Sequence, residues 1–147
     1  MALSSSAFGE GSSIPPRYTC DAEDITPPLA WARVPARSRS LALLVEDRNA
    51  PGGAFVHWSV YDLPPRSRGI AGGRLPSGST EGQNSFGHIG YGGPCPPKGD
   101  PPHDYIFALY ALDAYPGLSR GASPDAVRRA LAAHRIAEGT LTGVYRR

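Results

Sequence analysis

Apolar and polar residues alternate over several short segments of the chain, which is the pattern of strands that bury one face. An apolar run over residues 41–47 ends in Glu46 and Asp47, as expected of a buried strand that emerges at a site. Residues 55–63 and 104–113 predict two further strands, and residues 140–145 a short closing strand. One face of the 55–63 strand is predicted to carry Phe55, His57, Ser59 and Tyr61.

One helix is predicted near the C-terminus. Ser123 is a good N-cap, Pro124 suits the first helical position, and Asp125 is favourable at the positive end of the helix dipole. Apolar residues then recur at helical spacing through Val127 and Leu131. No repeat or linker divides the chain, so residues 1–147 are expected to form a single, mainly β, loop-rich domain.

Composition and charge argue against several classes of protein. Hydrophobic residues make up 40% of the chain, and no apolar run approaches the ~20 residues that span a bilayer, so stable membrane insertion is not expected. Residues 1–9 lack the basic and apolar segments of a secretory signal, which favours a cytoplasmic protein. The net charge is only +2 and the arginines are scattered along the sequence, so no nucleic-acid partner is expected.

The two cysteines are Cys20 and Cys95. They do not form a C-x-x-C motif, and two cysteines are too few for a zinc site of four cysteines. In a cytoplasmic protein such cysteines are usually free thiols. A disulfide between them remains open, because Cys95 lies in a conspicuous loop. This loop has five prolines and four glycines over residues 90–102, which excludes helix and central strand. A stiff loop with bare N–H groups suits a rigid pocket for a small anion, although a plain turn is the alternative.

Three polar residues are candidates for the chemistry of such a pocket. Asp47 closes a buried strand, where its carboxylate can either orient a neighbouring imidazole or cap its own turn. His57 stands in mid-strand between Val56 and Trp58, either as a satisfied core histidine or as a site residue. His103 follows the proline-rich loop at the entrance of a strand and is the better site candidate.

The order of these residues resembles the phosphatidylethanolamine-binding protein family, and more narrowly its short bacterial and archaeal branch, often labelled Raf kinase inhibitor-like. The motifs are Asp-x-x-Ala-Pro at 47–51, His-Trp at 57–58, Gly-Tyr-Gly-Gly-Pro-Cys-Pro-Pro-x-Gly at 90–99 and His-x-Tyr at 103–105. The similarity extends from about residue 14 to residue 145. Several spaced motifs in the right order are highly specific.

The resemblance implies a fold of two antiparallel β-sheets with short helices and one small surface pocket. In members of the family that pocket holds phosphate-like and carboxylate-like anions, as phospholipid head groups or phosphorylated partners would present. No catalytic residue, metal or cofactor is expected. A protein or lipid partner and a homodimer are further expectations. Carried over by position, the ligand-binding residues are Asp47, Ala50, Pro51, His57, Tyr91, Gly92, Gly93, Pro94, Pro96, His103 and Tyr105.

The expected chemistry is the binding of a small anion. Histidine side chains, the Tyr105 hydroxyl and the N–H groups of Gly92 and Gly93 would donate to it, while Asp47 would hold and polarise His57 or His103. The chain departs from the family pattern nearby. Relatives usually have proline and aspartate at the positions of Arg48 and Asn49, and arginine at the position of Asp104. The change at 48–49 is expected to remove a carboxylate from the rim and to add a cation.

An enzyme is the alternative function. One version uses Asp47, His57 and His103 as metal ligands, and another uses Cys95 as a nucleophile beside His103. The sequence has no Gly-x-Ser-x-Gly elbow, no P-loop and no His-Glu-x-x-His motif. A binding protein is therefore favoured over an enzyme.

Overall fold

Two β-sheets and one α-helix make up the molecule, which the computed structural model describes over residues 1–147. A short 3-10 helix spans Pro16–Tyr18, and the α-helix α1 spans Pro124–His134. No helix has the length and apolar character needed to cross a membrane. The strands are β1 (Ala2–Ser4), β2 (Ser12–Ser13), β3 (Leu29–Ala32), β4 (Ser40–Asp47), β5 (Phe55–Leu63), β6 (Gly69–Ile70), β7 (Thr80–Glu81), β8 (His103–Leu112) and β9 (Arg135–Tyr145).

The larger sheet has the order β2-β9-β8-β4-β5-β7, and the smaller sheet has the order β1-β3-β6. Every pair of neighbouring strands is antiparallel except β2 with β9. The strand β4 lies at the centre of the larger sheet, and nearly all its residues are buried, which explains why its sequence is an unbroken apolar run. The predicted mainly β fold with two sheets is confirmed.

Both faces of the larger sheet are covered. Between the two sheets lies the main core, in which Leu43, Trp58 and Phe107 of the larger sheet form one cluster with Trp31 and Ile70 of the smaller sheet. On the opposite face a smaller core packs against α1, and its members include Ala42, Leu44, Val127 and Leu131. Alternate residues of β4 therefore enter different cores, as the period of a strand requires.

The predicted elements agree with the structure in type and differ in length. The apolar run, the alternating segment and the third strand correspond to β4, β5 and β8. The helix begins where it was predicted, with the Ser123 hydroxyl accepting a hydrogen bond from the N–H of Ala126 at 3.2 Å. The closing strand is longer than predicted, because β9 continues directly from α1 at Arg135 and pairs with β8 along nearly its whole length.

A bulge interrupts β5 at His57. Val45 and Glu46 are consecutive on β4, but their partners on β5 are Trp58 and Val56, which leaves His57 as the extra residue. The alternation of side chains shifts at this point, so that Val56 packs on the helix side and Trp58 packs between the sheets. Bulges re-aim side chains and are common next to functional sites.

A second irregularity follows where Tyr61 and Asp62 together oppose one residue of β4, with Asp62 at φ 58°. Tyr61 packs in the core on the helix side, whereas the ring of His57 contacts Tyr105 of the inter-sheet core. The prediction that one face carries Phe55, His57, Ser59 and Tyr61 was therefore wrong. Strict alternation was assumed through the bulge at His57.

We expect Gly69→Ala to lower the free energy of unfolding by roughly 1–3 kcal/mol. Gly69 pairs with Ala30, and a Cβ at this position would overlap the backbone oxygen of Leu29, which is held in the smaller sheet. Gly9→Ala is the matched control, because its Cβ would meet only Ser12 Oγ at 3.6 Å, and it should change stability by less than about 0.5 kcal/mol. Urea denaturation measures both variants, and equal midpoints would contradict the tight strand contact.

Candidate functional site

A cavity of about 160 Å³ opens where the end of β4, the start of β5 and the start of β8 meet. Polar side chains of the three strands and apolar side chains of the connecting loops share its walls. Seven of the eleven predicted site residues line it. The complete lining is Asp47, Ala50, Pro51, Phe55, His57, Phe86, Cys95, Pro96, Pro97, His103 and Tyr105.

His57 is fixed by a two-way pairing with Gly92. The Nδ1 of His57 lies 2.7 Å from the carbonyl oxygen of Gly92, and the N–H of Gly92 donates to the carbonyl oxygen of His57 at 2.9 Å. Because a carbonyl can only accept, Nδ1 carries a proton, and in the neutral ring Nε2 has the lone pair. Burial lowers the pKa of His57 below its ordinary value, so the ring is held neutral near pH 7.

His103 is bonded to a carboxylate on each side. Its Nδ1 lies 2.7 Å from Asp47 Oδ2, and its Nε2 lies 3.0 Å from Asp100 Oδ2. Burial disfavours the charged ring, but the hydrogen bonds to Asp47 and Asp100 outweigh this effect and raise the pKa of His103. Asp47 also accepts from the N–H of Asn49 at 2.8 Å, so it both orients an imidazole and caps its own turn.

The hydroxyl of Tyr105 is buried and has no hydrogen-bond partner. Burial, together with the neighbouring Asp47 carboxylate, raises the pKa of this hydroxyl, so it stays protonated and remains a donor. Its ring packs edge-on against His57, with centroids 5.2 Å apart. Buried hydroxyls without a partner are rare in proteins, and this one belongs to a residue that lines the cavity. An acceptor that reached this hydroxyl from the cavity would satisfy it.

Four predicted ligand-binding residues lie behind the cavity and support it. Tyr91 donates its hydroxyl to the carbonyl oxygen of Tyr18 at 2.6 Å. The N–H of Gly92 is taken by His57, and the N–H of Gly93 donates to Asp24 Oδ1 at 2.8 Å. The prediction that these N–H groups face an anion was therefore wrong, because both have protein acceptors.

The fourth of these residues, Pro94, accepts at its carbonyl oxygen from the N–H of Cys20 at 3.1 Å. Beside this contact, Cys20 and Cys95 form a disulfide with Cα atoms 5.4 Å apart. The disulfide was one of the two alternatives left open by the sequence, and no free cysteine remains. It joins the proline-rich loop to the segment that follows the 3-10 helix, so the cavity wall is anchored covalently.

The groups required by the two enzyme alternatives are arranged differently. Cys95 is disulfide-bonded, so it presents no thiol to His103. No group of three or more histidine, cysteine, aspartate or glutamate side chains is placed to hold a metal ion, so Asp47, His57 and His103 do not form a metal cage. Both ring nitrogens of His103 instead face carboxylates.

Sequence reasoning missed Asp100, Phe55, Phe86 and Pro97 as site residues. Asp100 stands three positions before His103, a spacing that a turn converts into contact, and this signal was present in the sequence. Phe55 was predicted to share a face with His57, which was also a usable signal. No signal in the sequence indicated Phe86. It reaches the cavity from a loop whose backbone carbonyl and N–H groups form hydrogen bonds with the side chain of Asn84.

The departures from the family pattern lie at the edge of the site. Arg48 and Asn49 are exposed, and neither is among the residues that line the cavity. Asn49 Oδ1 accepts from the N–H of Asp104 at 2.8 Å and ties the loop after β4 to β8. Asp104 is exposed and points away from the buried His103 and Tyr105, as predicted from alternation.

A sequence profile described as Phosphatidylethanolamine-binding protein matches residues 4–146. The chain belongs to this family. A UPF0098 protein of Methanothermobacter thermautotrophicus is 46% identical over 152 residues, which cover 100% of this chain and 99% of the relative. The crystal structure of YbcL from E. coli, described as a member of the mammalian PEBP family, superimposes with a TM-score of 0.95 at 31% identity, over 99% of this chain and 98% of that one. A PEBP homologue from Chlamydia trachomatis, CT736, gives a TM-score of 0.91 at 38% identity, over 99% and 97% of the two chains.

The two cavity histidines should titrate on opposite sides of about pH 6.5. The pKa of His57 is lowered by burial, and that of His103 is raised by Asp47 and Asp100. NMR titration of the ring protons, assigned with His57→Gln and His103→Gln, measures both. A pKa of His57 above that of His103 would contradict the hydrogen-bond assignment.

The raised pKa of His103 also makes the stability of the fold depend on pH. A raised pKa means that the charged His103 ring stabilises the fold fully below about pH 6.5, and that this contribution is lost as the pH rises through the folded-state pKa. The difference in free energy of unfolding between the natural chain and His103→Gln should therefore shrink as the pH rises from about 6.5 through the folded-state pKa of His103.

Reduction of the disulfide should lower the free energy of unfolding by roughly 2–4 kcal/mol, because the bond closes a long loop in the unfolded chain. The two cysteines are 75 residues apart in sequence. Denaturation with and without reductant measures the loss, and Cys20→Ala/Cys95→Ala is the control that should not respond to reductant. Two reactive thiols in protein purified without reductant would contradict the pairing.

Proposed function

We propose that the protein binds a small anionic group, such as a phosphate or carboxylate head, in the cavity between His57 and Tyr105. The unpartnered Tyr105 hydroxyl carries this proposal, because a buried donor without an acceptor is costly to the fold and a bound anion would supply the acceptor. Nε2 of His57 has no protein partner either, and its ring lines the same cavity. A hydroxyl donor and a ring nitrogen that becomes a donor on protonation thus come from different strands to one cavity.

Binding of an anion requires a change of charge at His57. In the neutral ring Nε2 can only accept, since Nδ1 keeps its proton for Gly92. An anion therefore favours the protonated ring, in which Nε2 becomes a donor. Because burial lowers the pKa of His57 in the free protein, ligand binding takes up a proton, and affinity should increase as the pH falls.

The apolar part of the lining favours an anion that is joined to an apolar group. Phe55 and Phe86 pack edge to face with centroids 4.7 Å apart, and Phe86 is 44% exposed, so one aromatic face stands at the mouth. Pro51 and Pro97 are exposed on the same lining. The volume of about 160 Å³ admits a head group only. The rest of the ligand would lie outside, along these side chains.

Binding without catalysis is the form of the function we favour. Charge-assisted hydrogen bonds from His57 and Tyr105 would be worth about 1.5–3 kcal/mol each. Together these two bonds give about 3–6 kcal/mol before the cost of association, so the anion alone should bind with a dissociation constant of about a millimolar or weaker. The sulfur of Cys95 and both nitrogens of His103 are already bonded, which supports a binding role over a nucleophilic one.

Tyr105→Phe should weaken acetate binding about tenfold or more without lowering stability, because the hydroxyl it removes has no protein partner. Tyr91→Phe is the matched control: it loses the hydrogen bond to Tyr18, so it should lower stability while leaving affinity unchanged. ¹H–¹⁵N shifts titrated with acetate give the dissociation constants. Equal affinity of the Tyr105→Phe variant and the natural chain would reject the proposal.

The pH dependence of acetate binding tests the role of His57. Acetate stays ionised between pH 6 and pH 7.5, so a change of affinity over that range reports on the protein. We expect tighter binding at pH 6 and no such dependence in His57→Gln. Comparison of phosphate, phosphoethanolamine and phenyl phosphate then reports on the apolar mouth, where the phenyl ester should bind best.

A further inference from the structure

A second concave site lies at the opposite end of β5 from the cavity. Its volume is about 460 Å³, and it is formed by the residues that follow β3 and by the turn between β5 and β6. Three of its lining residues are the arginines Arg33, Arg66 and Arg68, and none of its lining residues is acidic. We call this site the arginine groove. Sequence reasoning treated these arginines as scattered, because Arg33 is far from the other two along the chain.

The guanidinium groups of the arginine groove are available to a ligand. All three arginines are exposed, and none of them forms an ion pair, whereas Arg17, Arg128, Arg135 and Arg147 do. None of the three donates a side-chain hydrogen bond within the protein. Three like charges around one concavity repel one another, and a bound polyanion would remove that cost.

The backbone that carries the arginines is well fixed. The indole Nε1 of Trp31 donates to the carbonyl oxygen of Ser67 at 2.7 Å. The backbone N–H of Trp31 donates to the carbonyl oxygen of Arg68 at 2.9 Å. Ser67 also closes its own turn, with its N–H 3.0 Å and its hydroxyl 2.6 Å from the carbonyl oxygen of Pro64. The positions of Arg66 and Arg68 relative to Arg33 are therefore set by the fold before any ligand arrives.

Arg33 is held in an unusual backbone conformation. Its φ of 59° lies in the left-handed region, which is unfavourable for residues other than glycine. Strain of this kind persists where the surrounding structure enforces it, and it is frequent at ligand sites. The side chain of Arg33 makes no hydrogen bond or ion pair within the protein that would compensate for the strain.

We propose that the arginine groove binds small molecules that carry a chain of two or more phosphoryl groups. Arginine presents planar donors that match phosphate oxygens two at a time, and a phosphoryl chain places successive charges close enough for three guanidinium groups to share. The volume is within the range of small-molecule sites. Val34 and Trp31 add apolar surface to the lining, which an organic group attached to the phosphoryl chain could cover.

The test uses the full chain and two probes, inorganic tripolyphosphate and ATP. Arg66→Gln/Arg68→Gln should raise the dissociation constant for tripolyphosphate about tenfold or more. The control variant Arg120→Gln/Arg129→Gln removes the same charge from two exposed, unpaired arginines elsewhere and should change it by less than about twofold. The ¹H–¹⁵N shifts caused by tripolyphosphate should centre on residues 31–34 and 65–68. Tyr105→Phe should leave this binding unchanged, which separates the arginine groove from the cavity.

Three results would overturn the proposal. These are the absence of saturable shifts with tripolyphosphate, an equal loss of affinity in the two double variants, and shifts confined to His57 and Tyr105. Tighter binding of ATP than of tripolyphosphate would support the proposal and identify a nucleotide-like ligand. Equal binding would support it with the phosphoryl chain alone as the recognised group. Arg33→Gly should also weaken binding while keeping or raising the melting temperature, since it relieves the left-handed residue.

Discussion

The pairing between His57 and Gly92 is the contact on which the cavity depends. It joins the bulge of β5 to the proline-rich loop by one backbone and one side-chain hydrogen bond, and it sets which nitrogen of the ring carries the proton. Gly92 can take this place because it lacks a Cβ, which would overlap the ring of Phe86. The position of the loop, the tautomer of His57 and the aromatic mouth therefore follow from one residue pair.

The two cavity histidines differ in their pKa shifts and in their hydrogen-bond partners. Asp47 and Asp100 raise the pKa of His103 and bond both of its ring nitrogens, so its role is to position the ends of β4 and β8. His57 is held neutral by burial and keeps one nitrogen for the cavity. A carboxylate pair beside an anion site is unfavourable, and the charged ring between the two carboxylates compensates part of that cost.

The strands, the helix and much of the cavity wall could be predicted from the sequence, because they depend on local patterns of residues. The apolar run of β4, the cap at Ser123 and the motif residues Asp47, His57, His103 and Tyr105 required no knowledge of distant contacts. The bulge at His57 was not predicted, since it is visible only in the register against β4. The N–H groups of Gly92 and Gly93 were assigned to a ligand because their protein acceptors, His57 and Asp24, are remote in sequence. The arginine groove was missed for the same reason.

The cavity and the arginine groove are separated by the length of β5. Its nine residues span about 30 Å, with the cavity at the start of the strand and Arg66 and Arg68 just beyond its end. Three exposed arginines without ion-pair partners thus lie around the end of the strand that is remote from the cavity. A small ligand in the arginine groove and another in the cavity would therefore be too far apart to touch, so one could be bound without displacing the other.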